Sequence, residues 1–155
     1  MTEPDRHEGW YLEQFRPGAC FRSAGRTITE TDLVNYLGLS AFFEEAFMNV
    51  PFATGASVYR RRVVPAVLVL AISEGLIVLT GRLERAIAFL GMTELAMKAP
   101  VAVGDTIRVG TEICSTRPTS KPGRGIVQLL HTVRIDDDSV VMEYTSTRMV
   151  QARPE

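Results

Sequence analysis

The chain has 155 residues, of which 46% are hydrophobic and 23% are charged, which is enough apolar material for one folded domain with its own core. Its 17 basic and 18 acidic residues give a net charge of −1, which excludes the basic surface that nucleic-acid binding requires. Its two cysteines, Cys20 and Cys114, form no metal-ligand spacing with each other or with a histidine. We therefore expect no metal site, and two isolated cysteines fit a reducing compartment.

The N-terminus is polar and acidic, and it lacks the apolar segment of a signal peptide. The longest apolar run, residues 63–72, is about half as long as a membrane span. We therefore expect a cytoplasmic protein that does not act in a membrane. Residues 1–24 are predicted to form an N-terminal arm, tethered by Trp10, Tyr11 and Phe15, and residues 25–155 a single domain.

A first helix is predicted to begin after Thr29 or Thr31, since either residue is a suitable N-cap before acidic residues. Gly38 is expected to end that helix. The aromatic and acidic stretch at 41–49 then predicts one or two helical turns.

The strongest helix prediction begins at Pro65, in the expected first helical position, and ends just before Gly81. The segment is apolar nearly all round, so it is expected to be buried in the middle of the domain.

The rest of the chain predicts four β-strands, separated by turns rich in proline, glycine and aspartate. Evenly spaced strands with short turns indicate an antiparallel sheet, and a central apolar helix indicates that the sheet wraps around it. This is an α+β architecture of the hot-dog type. The predicted strands are residues 86–99, 106–116, 125–135 and 140–150.

Four segments resemble the MaoC-like dehydratases, the family of the (R)-specific enoyl-thioester hydratases, and they occur in the order of that family. The resemblance implies a hot-dog domain that binds an acyl thioester on coenzyme A or acyl carrier protein and needs no other cofactor. The segments are GRTITETDLVNY (25–36), VVPAVLVLAISEGL (63–76), PVAVGDTIRV (100–109) and RPTSKPGRGIV (117–127).

The family's chemistry depends on an aspartate and a histidine five residues apart in the loop after the first helix. Aligned with that loop, residues 39–53 place Phe42 at the aspartate and Phe47 at the histidine, and Phe52-Ala53 match the closing aromatic–alanine pair. A matched acid–base pair contributes about 10²–10⁴-fold to the rate. Phenylalanine neither accepts nor donates a proton, so the usual mechanism cannot run from these positions.

The leading hypothesis is a hydratase or dehydratase whose acid–base groups are Glu45 or Glu44, with Asn49 orienting water. An apolar loop raises the pKa of a carboxyl toward the range that acid–base chemistry uses. The alternative is that both glutamates lie on the solvent face of a short helix.

A second hypothesis is a thioesterase that uses Glu74, which interrupts the apolar helix; the alternative is a structural ion pair with an arginine. A third is a non-catalytic, acyl-binding subunit beside a catalytic paralogue, with Phe42 and Phe47 as a pocket wall or, more simply, as core. His131, in the middle of a predicted strand, is interpreted as a structural or surface histidine.

Three further residues are candidates for substrate binding. The amide of Ala66, at the start of the central helix, is suited to polarising a thioester carbonyl. Lys121 and Arg124 are candidates for contacts with coenzyme A phosphates, or are turn residues that favour solubility. Since a hot-dog sheet leaves an edge strand open, a homodimer or an oligomer of dimers is expected.

Overall fold

The computed structural model describes residues 9–154; the first eight residues of the predicted arm, His7 among them, and Glu155 lie outside this range. Within this range the chain forms three α-helices and six β-strands: β1 (Cys20–Arg22), β2 (Arg26–Thr27), α1 (Glu30–Ser40), α2 (Glu45–Met48), α3 (Ala66–Val78), β3 (Ala86–Met97), β4 (Thr106–Pro118), β5 (Arg124–Arg134) and β6 (Val140–Gln151). A 3-10 turn at Leu12–Gln14 and a π-helical turn at Phe52–Ala56 complete them.

The strands form a six-stranded sheet in the order β1-β4-β5-β6-β3, with β2 also paired to β4. All the pairings are antiparallel, so the predicted antiparallel sheet is confirmed. Among the described strands β3 pairs only with β6, which leaves β3 at the edge of the sheet.

Helix α3 packs on one face of the sheet and confirms the predicted α+β hot-dog architecture. Pro65 is its N-cap rather than its first residue, and the helix ends at Val78, with Gly81 at φ +75° in the turn that follows. The helix side of the core contains Val69, Ile72 and Ile77, which belong to one hydrophobic cluster with inward side chains of β4, β5 and β6.

The expectation that α3 is buried on all sides is wrong. Val67 is 54% exposed and Val78 is 51% exposed, while Val69, on the opposite side, is fully buried. The reason is that a helix lying against one sheet has a second side, and no element within residues 9–154 covers that side. One side of the helix is therefore an apolar surface.

Helix α1 begins at Thr29, whose hydroxyl accepts from the Asp32 amide at 3.2 Å while the Asp32 carboxylate accepts from the Thr29 amide at 2.8 Å. This reciprocal capping box confirms one of the two predicted N-caps. The prediction that Gly38 ends the helix is wrong, because the helix continues to Ser40. The turn is made by Ala41 instead, at φ 54°.

The described part of the arm is packed against the domain. Phe15 is 2% exposed, and the Trp10 ring lies 5.3 Å from the Phe15 ring in an edge arrangement. The Arg82 guanidinium lies 4.9 Å from the centre of the Trp10 ring, which is within cation–π range. Within residues 9–154, none of the helices has both the length and the apolar character needed to cross a bilayer.

Candidate functional site

The two phenylalanines that the resemblance aligns with the family's acid–base pair are neighbours. The rings of Phe42 and Phe47 are 5.8 Å apart, and Tyr36 of α1 lies 6.4 Å from Phe42. Phe42 lies just before α2 and Phe47 within it, so the local chain path brings the two positions together. The two side chains therefore form an apolar contact at these positions.

A cavity of about 330 Å³ opens at the N-terminus of α3. It brings together two of the predicted substrate-binding residues, Phe47 and Ala66, and its wall also contains Tyr59, Met97, Lys98 and Val101. The Ala66 amide is the first of α3 and donates no hydrogen bond within residues 9–154. A free amide at a helix N-terminus is suited to a developing oxyanion.

Tyr59 and Lys98 are the titratable side chains of this cavity wall, and sequence reasoning missed both. Tyr59 is 49% exposed, and the Lys98 ammonium lies 3.4 Å from the Glu143 carboxylate. The sequence signal for Lys98 is its place just before the family-like segment 100–109. Tyr59 lies in a loop where nothing in the sequence distinguishes it from a surface tyrosine.

The predicted catalytic residues of the loop do not line the cavity. Glu44, Glu45 and Asn49 are exposed, so both carboxyls lack the apolar surroundings that were expected for them. The Asn49 side-chain NH2 group donates to the Glu45 carboxylate at 3.1 Å, and the Asn49 side-chain oxygen, Oδ1, accepts from the Phe52 backbone amide at 3.1 Å. Their polar groups therefore stabilise the turn between α2 and the π-helical segment.

Both carboxylate oxygens of Glu74 interact with side chains of β6. One accepts from the Tyr144 hydroxyl at 2.8 Å, and the other forms an ion pair with Arg148. The Arg148 side chain is only 9% exposed, and its guanidinium lies 5.1 Å from the centre of the Phe89 ring. The structure thus places Glu74 in the structural ion pair that was its alternative interpretation.

His131 is fully buried beside this ion pair. Its Nδ1 is 2.9 Å from the Thr111 hydroxyl and its Nε2 is 2.7 Å from the Ser146 hydroxyl. Burial, together with the positive charge of Arg148, lowers the pKa of His131 to about 3. Burial, and then the negative charge of Glu74, raises the pKa of Tyr144. His131 is therefore a neutral structural histidine, as predicted.

Lys121 and Arg124 lie far from the cavity within one chain. Lys121 is in the turn between β4 and β5, and Arg124 pairs with Gln151 at the end of β6. Met97, in the cavity wall, pairs with Met142 near the start of β6. At about 3.4 Å per residue, these two points on β6 are roughly 30 Å apart.

The similarity of this chain to known proteins agrees with this fold. No protein-family model matches the chain. Protein MaoC of Klebsiella aerogenes is 36% identical over 99 residues, which cover 64% of this chain and 29% of MaoC. The chain therefore spans under a third of that curated relative.

Solved structures extend the likeness over nearly the whole chain. A MaoC domain protein of Chloroflexus aurantiacus is 28% identical, with a TM-score of 0.88 over 99% of this chain and 43% of that one. The MaoC-like dehydratase of Rhodospirillum rubrum is 24% identical, with a TM-score of 0.84 over 95% of this chain and 100% of that one, and shows the shared fold. By sequence and by fold, the chain is similar to MaoC-like proteins, and its architecture is the hot-dog fold.

Proposed function

We propose that the chain acts on acyl thioesters as a hydratase or dehydratase. The observation that carries this proposal is the cavity at the start of α3, where the free Ala66 amide meets an apolar wall that includes Phe47. An amide donor and an apolar wall are what a thioester carbonyl and its acyl chain require.

In this proposal the thioester carbonyl accepts a hydrogen bond from the Ala66 amide. Negative charge that develops on the carbonyl oxygen during addition to the enoyl double bond is stabilised there. Glu45, held by Asn49, takes a proton from water as the hydroxide adds to the β-carbon, and then gives that proton to the α-carbon. Glu45 lies in α2, two residues before the cavity residue Phe47, and the proposal requires its carboxylate to reach a substrate bound in the cavity.

The test is hydration of an enoyl-coenzyme A by the wild-type chain and by Glu45→Gln. We expect a loss of about 10²–10⁴-fold, since the carboxylate is the only acid–base group in the proposal. Glu44→Gln is the matched control, because Glu44 is an exposed neighbour that makes no hydrogen bond to Asn49. Equal rates for wild type and Glu45→Gln would end the carboxylate proposal.

A non-catalytic, acyl-binding subunit is the second candidate, and the contact between Phe42 and Phe47 favours it. This candidate predicts no turnover by the isolated chain and copurification with a paralogue that carries the aspartate and histidine. The double variant Phe42→Asp/Phe47→His should then gain hydratase activity of at least about tenfold. Phe43→Asp, at a 58% exposed neighbour, is the control that should gain none.

Thioester hydrolysis by Glu74 has less support, because both carboxylate oxygens are already engaged by Tyr144 and Arg148. A nucleophile or general base needs a free lone pair directed at the substrate. Release of free thiol from acyl-coenzyme A that is abolished by Glu74→Gln, with the fold intact, would revive that hypothesis.

A further inference from the structure

Arg62 joins two helices through one guanidinium group. Its Nη2 atom donates to the Glu30 carboxylate at 2.7 Å, its Nε atom lies 3.3 Å from each oxygen of that carboxylate, and its Nη1 atom donates to the backbone carbonyl oxygen of Phe47. Glu30 is the first residue of α1, and Phe47 lies in α2. The Arg62 side chain is only 15% exposed, so its contacts hold it in one place.

The Phe47 carbonyl needs a donor from outside its own helix. In an α-helix this oxygen would accept from the amide four residues later, and that residue is Pro51, which has no N–H. The planar fork of the Arg62 guanidinium supplies the missing donor and keeps two nitrogen atoms for Glu30. A side chain from a different part of the chain therefore completes the end of α2.

Few other restraints fix the position of α2. None of its four residues is buried. Apart from the bond to Arg62, the hydrogen bonds of residues 42–56 within the described chain have their partners in residues 41–57. The Phe47 ring is half-buried against the core, but an apolar contact has no preferred direction. The directional restraint on Phe47 therefore comes from Arg62.

The main chain of Arg62 belongs to another part of the cavity wall. Its carbonyl oxygen accepts from the Val103 amide at 2.9 Å, and two residues later the Val64 amide donates to the Val101 carbonyl at 2.9 Å. Val101 lines the cavity, and α3 begins at Ala66, whose amide lies in the same wall. Arg62 is thus fixed through its backbone to the start of α3, and through its side chain it holds α2.

We propose that Arg62 is a positioning residue: it fixes Phe47 relative to the Ala66 amide and thereby limits the cavity to short acyl chains. The cavity, about 330 Å³, is at the small end of the roughly 300–1,000 Å³ that is typical of ligand pockets. Without the Arg62 side chain, α2 is free to move outward, and a longer acyl chain gains apolar surface to contact. This inference rests on the proposed action on acyl thioesters and adds the acyl length that the site prefers.

The test compares the binding of butanoyl-coenzyme A and octanoyl-coenzyme A, two saturated probes that cannot be hydrated. The measured quantity is the ratio of the two dissociation constants, butanoyl over octanoyl. A variant that is merely destabilised loses binding sites for both probes equally, so its ratio is unchanged. Each additional buried methylene strengthens binding by about fourfold. Octanoyl has four more methylenes than butanoyl, so Arg62→Met should raise the ratio by at least about tenfold.

Arg61→Met is the matched control. Arg61 is the neighbouring arginine, and its ion pair is with Asp105, at 2.5 Å and outside α2. This variant also loses an ion pair, but its ratio should equal that of wild type. Arg62→Lys keeps the charge beside Glu30 and loses the fork that reaches both partners. It should raise the ratio by at least about threefold, and it decides the question if Arg62→Met does not fold.

Two double variants separate positioning from a purely local role. Pro51→Ala restores a backbone N–H four residues after Phe47, at a position whose helical conformation alanine adopts readily. If Arg62 only satisfied the Phe47 carbonyl, Arg62→Met/Pro51→Ala would regain the wild-type ratio; we expect the raised ratio instead. In a Phe47→Ala background, Arg62→Met should have no further effect on the ratio, because the ring that it positions is gone.

The failures are distinguishable. The positioning role is overturned, and the proposed function left standing, by a wild-type ratio in Arg62→Met or in Arg62→Met/Pro51→Ala, or by an equal rise in Arg61→Met. A full effect of Arg62→Met in the Phe47→Ala background does the same, as does a wild-type ratio in Arg62→Lys where Arg62→Met does not fold. A wild-type chain that binds neither probe overturns the proposed function, and this inference with it.

Discussion

His131 makes the stability of this protein dependent on pH. The histidine is fully buried between two hydroxyls, and its pKa falls from 6.5 to about 3 in the fold because of burial and the Arg148 charge. Between pH 6.5 and about pH 3, His131 is protonated in the unfolded chain and neutral in the folded chain. Stability from this group is therefore fully present above pH 6.5 and is lost as the pH falls from 6.5 toward 3.

The magnitude follows from the two pKa values. Below the unfolded-state pKa of 6.5, each pH unit removes about 1.4 kcal/mol of stability. Lowering the pH from 8 to 5 crosses about 1.5 such units and therefore removes about 2 kcal/mol from the free energy of unfolding. His131→Gln keeps an amide between the Thr111 and Ser146 hydroxyls and removes the titration. The variant should lose about 2 kcal/mol less than wild type over the same pH interval, whatever its stability at pH 8.

The assay is urea unfolding at pH 8 and pH 5, at a fixed protein concentration because association would shift the apparent stability. Carboxylates that titrate in this range are present in both proteins and cancel in the difference. The control is Ile113→Val, a trimmed side chain at a fully buried position of β4, which should cost about 0.5–1.5 kcal/mol equally at both pH values. An unchanged pH dependence in His131→Gln would refute the reasoning.

Three further predictions concern stability and use the same unfolding assay. Glu74→Gln should lower the free energy of unfolding by about 2 kcal/mol, because it leaves the Arg148 guanidinium, 9% exposed, without its counter-charge. Gly125→Ala should cost about 1–3 kcal/mol, since the new methyl group would lie 2.3 Å from a Leu12 methyl group. Gly38→Ala should add about 0.5–1 kcal/mol, because this glycine is inside α1 with no atom within 4 Å of the added carbon.

Each of these has a matched control. Replacing both members of the ion pair, as Glu74→Gln/Arg148→Met, should recover part of the loss, and no recovery would argue against an uncompensated charge. Gly110→Ala meets its nearest atom at 3.8 Å and should be nearly neutral, in contrast to Gly125→Ala. Gly123→Ala, at φ +75°, should be destabilising where Gly38→Ala stabilises, and equal effects would contradict the backbone argument.

The sequence by itself determined the order and type of the main elements. Pro65 and the apolar run after it predicted α3, and the alternating segments with their turns predicted β3 to β6, because these signals are local to each element. The presence of phenylalanine at positions 42 and 47, where the resemblance implies an acid–base pair, was also readable, since residue identity needs only an alignment of the loop. Gly38 shows the limit of a local signal: a glycine ends a helix only where the chain adopts a left-handed conformation, and here Ala41 adopts it.

Only the tertiary structure decided which side chains meet. The partner of Glu74 is Arg148, 74 residues away, and the hydroxyl beside His131 Nδ1 belongs to Thr111 on a neighbouring strand. Phe47 and Ala66 share a cavity, while Lys121 lies at the other end of the sheet. These relations follow from strand order and register, which are set by packing between segments distant in sequence and leave no periodic signal within any one of them.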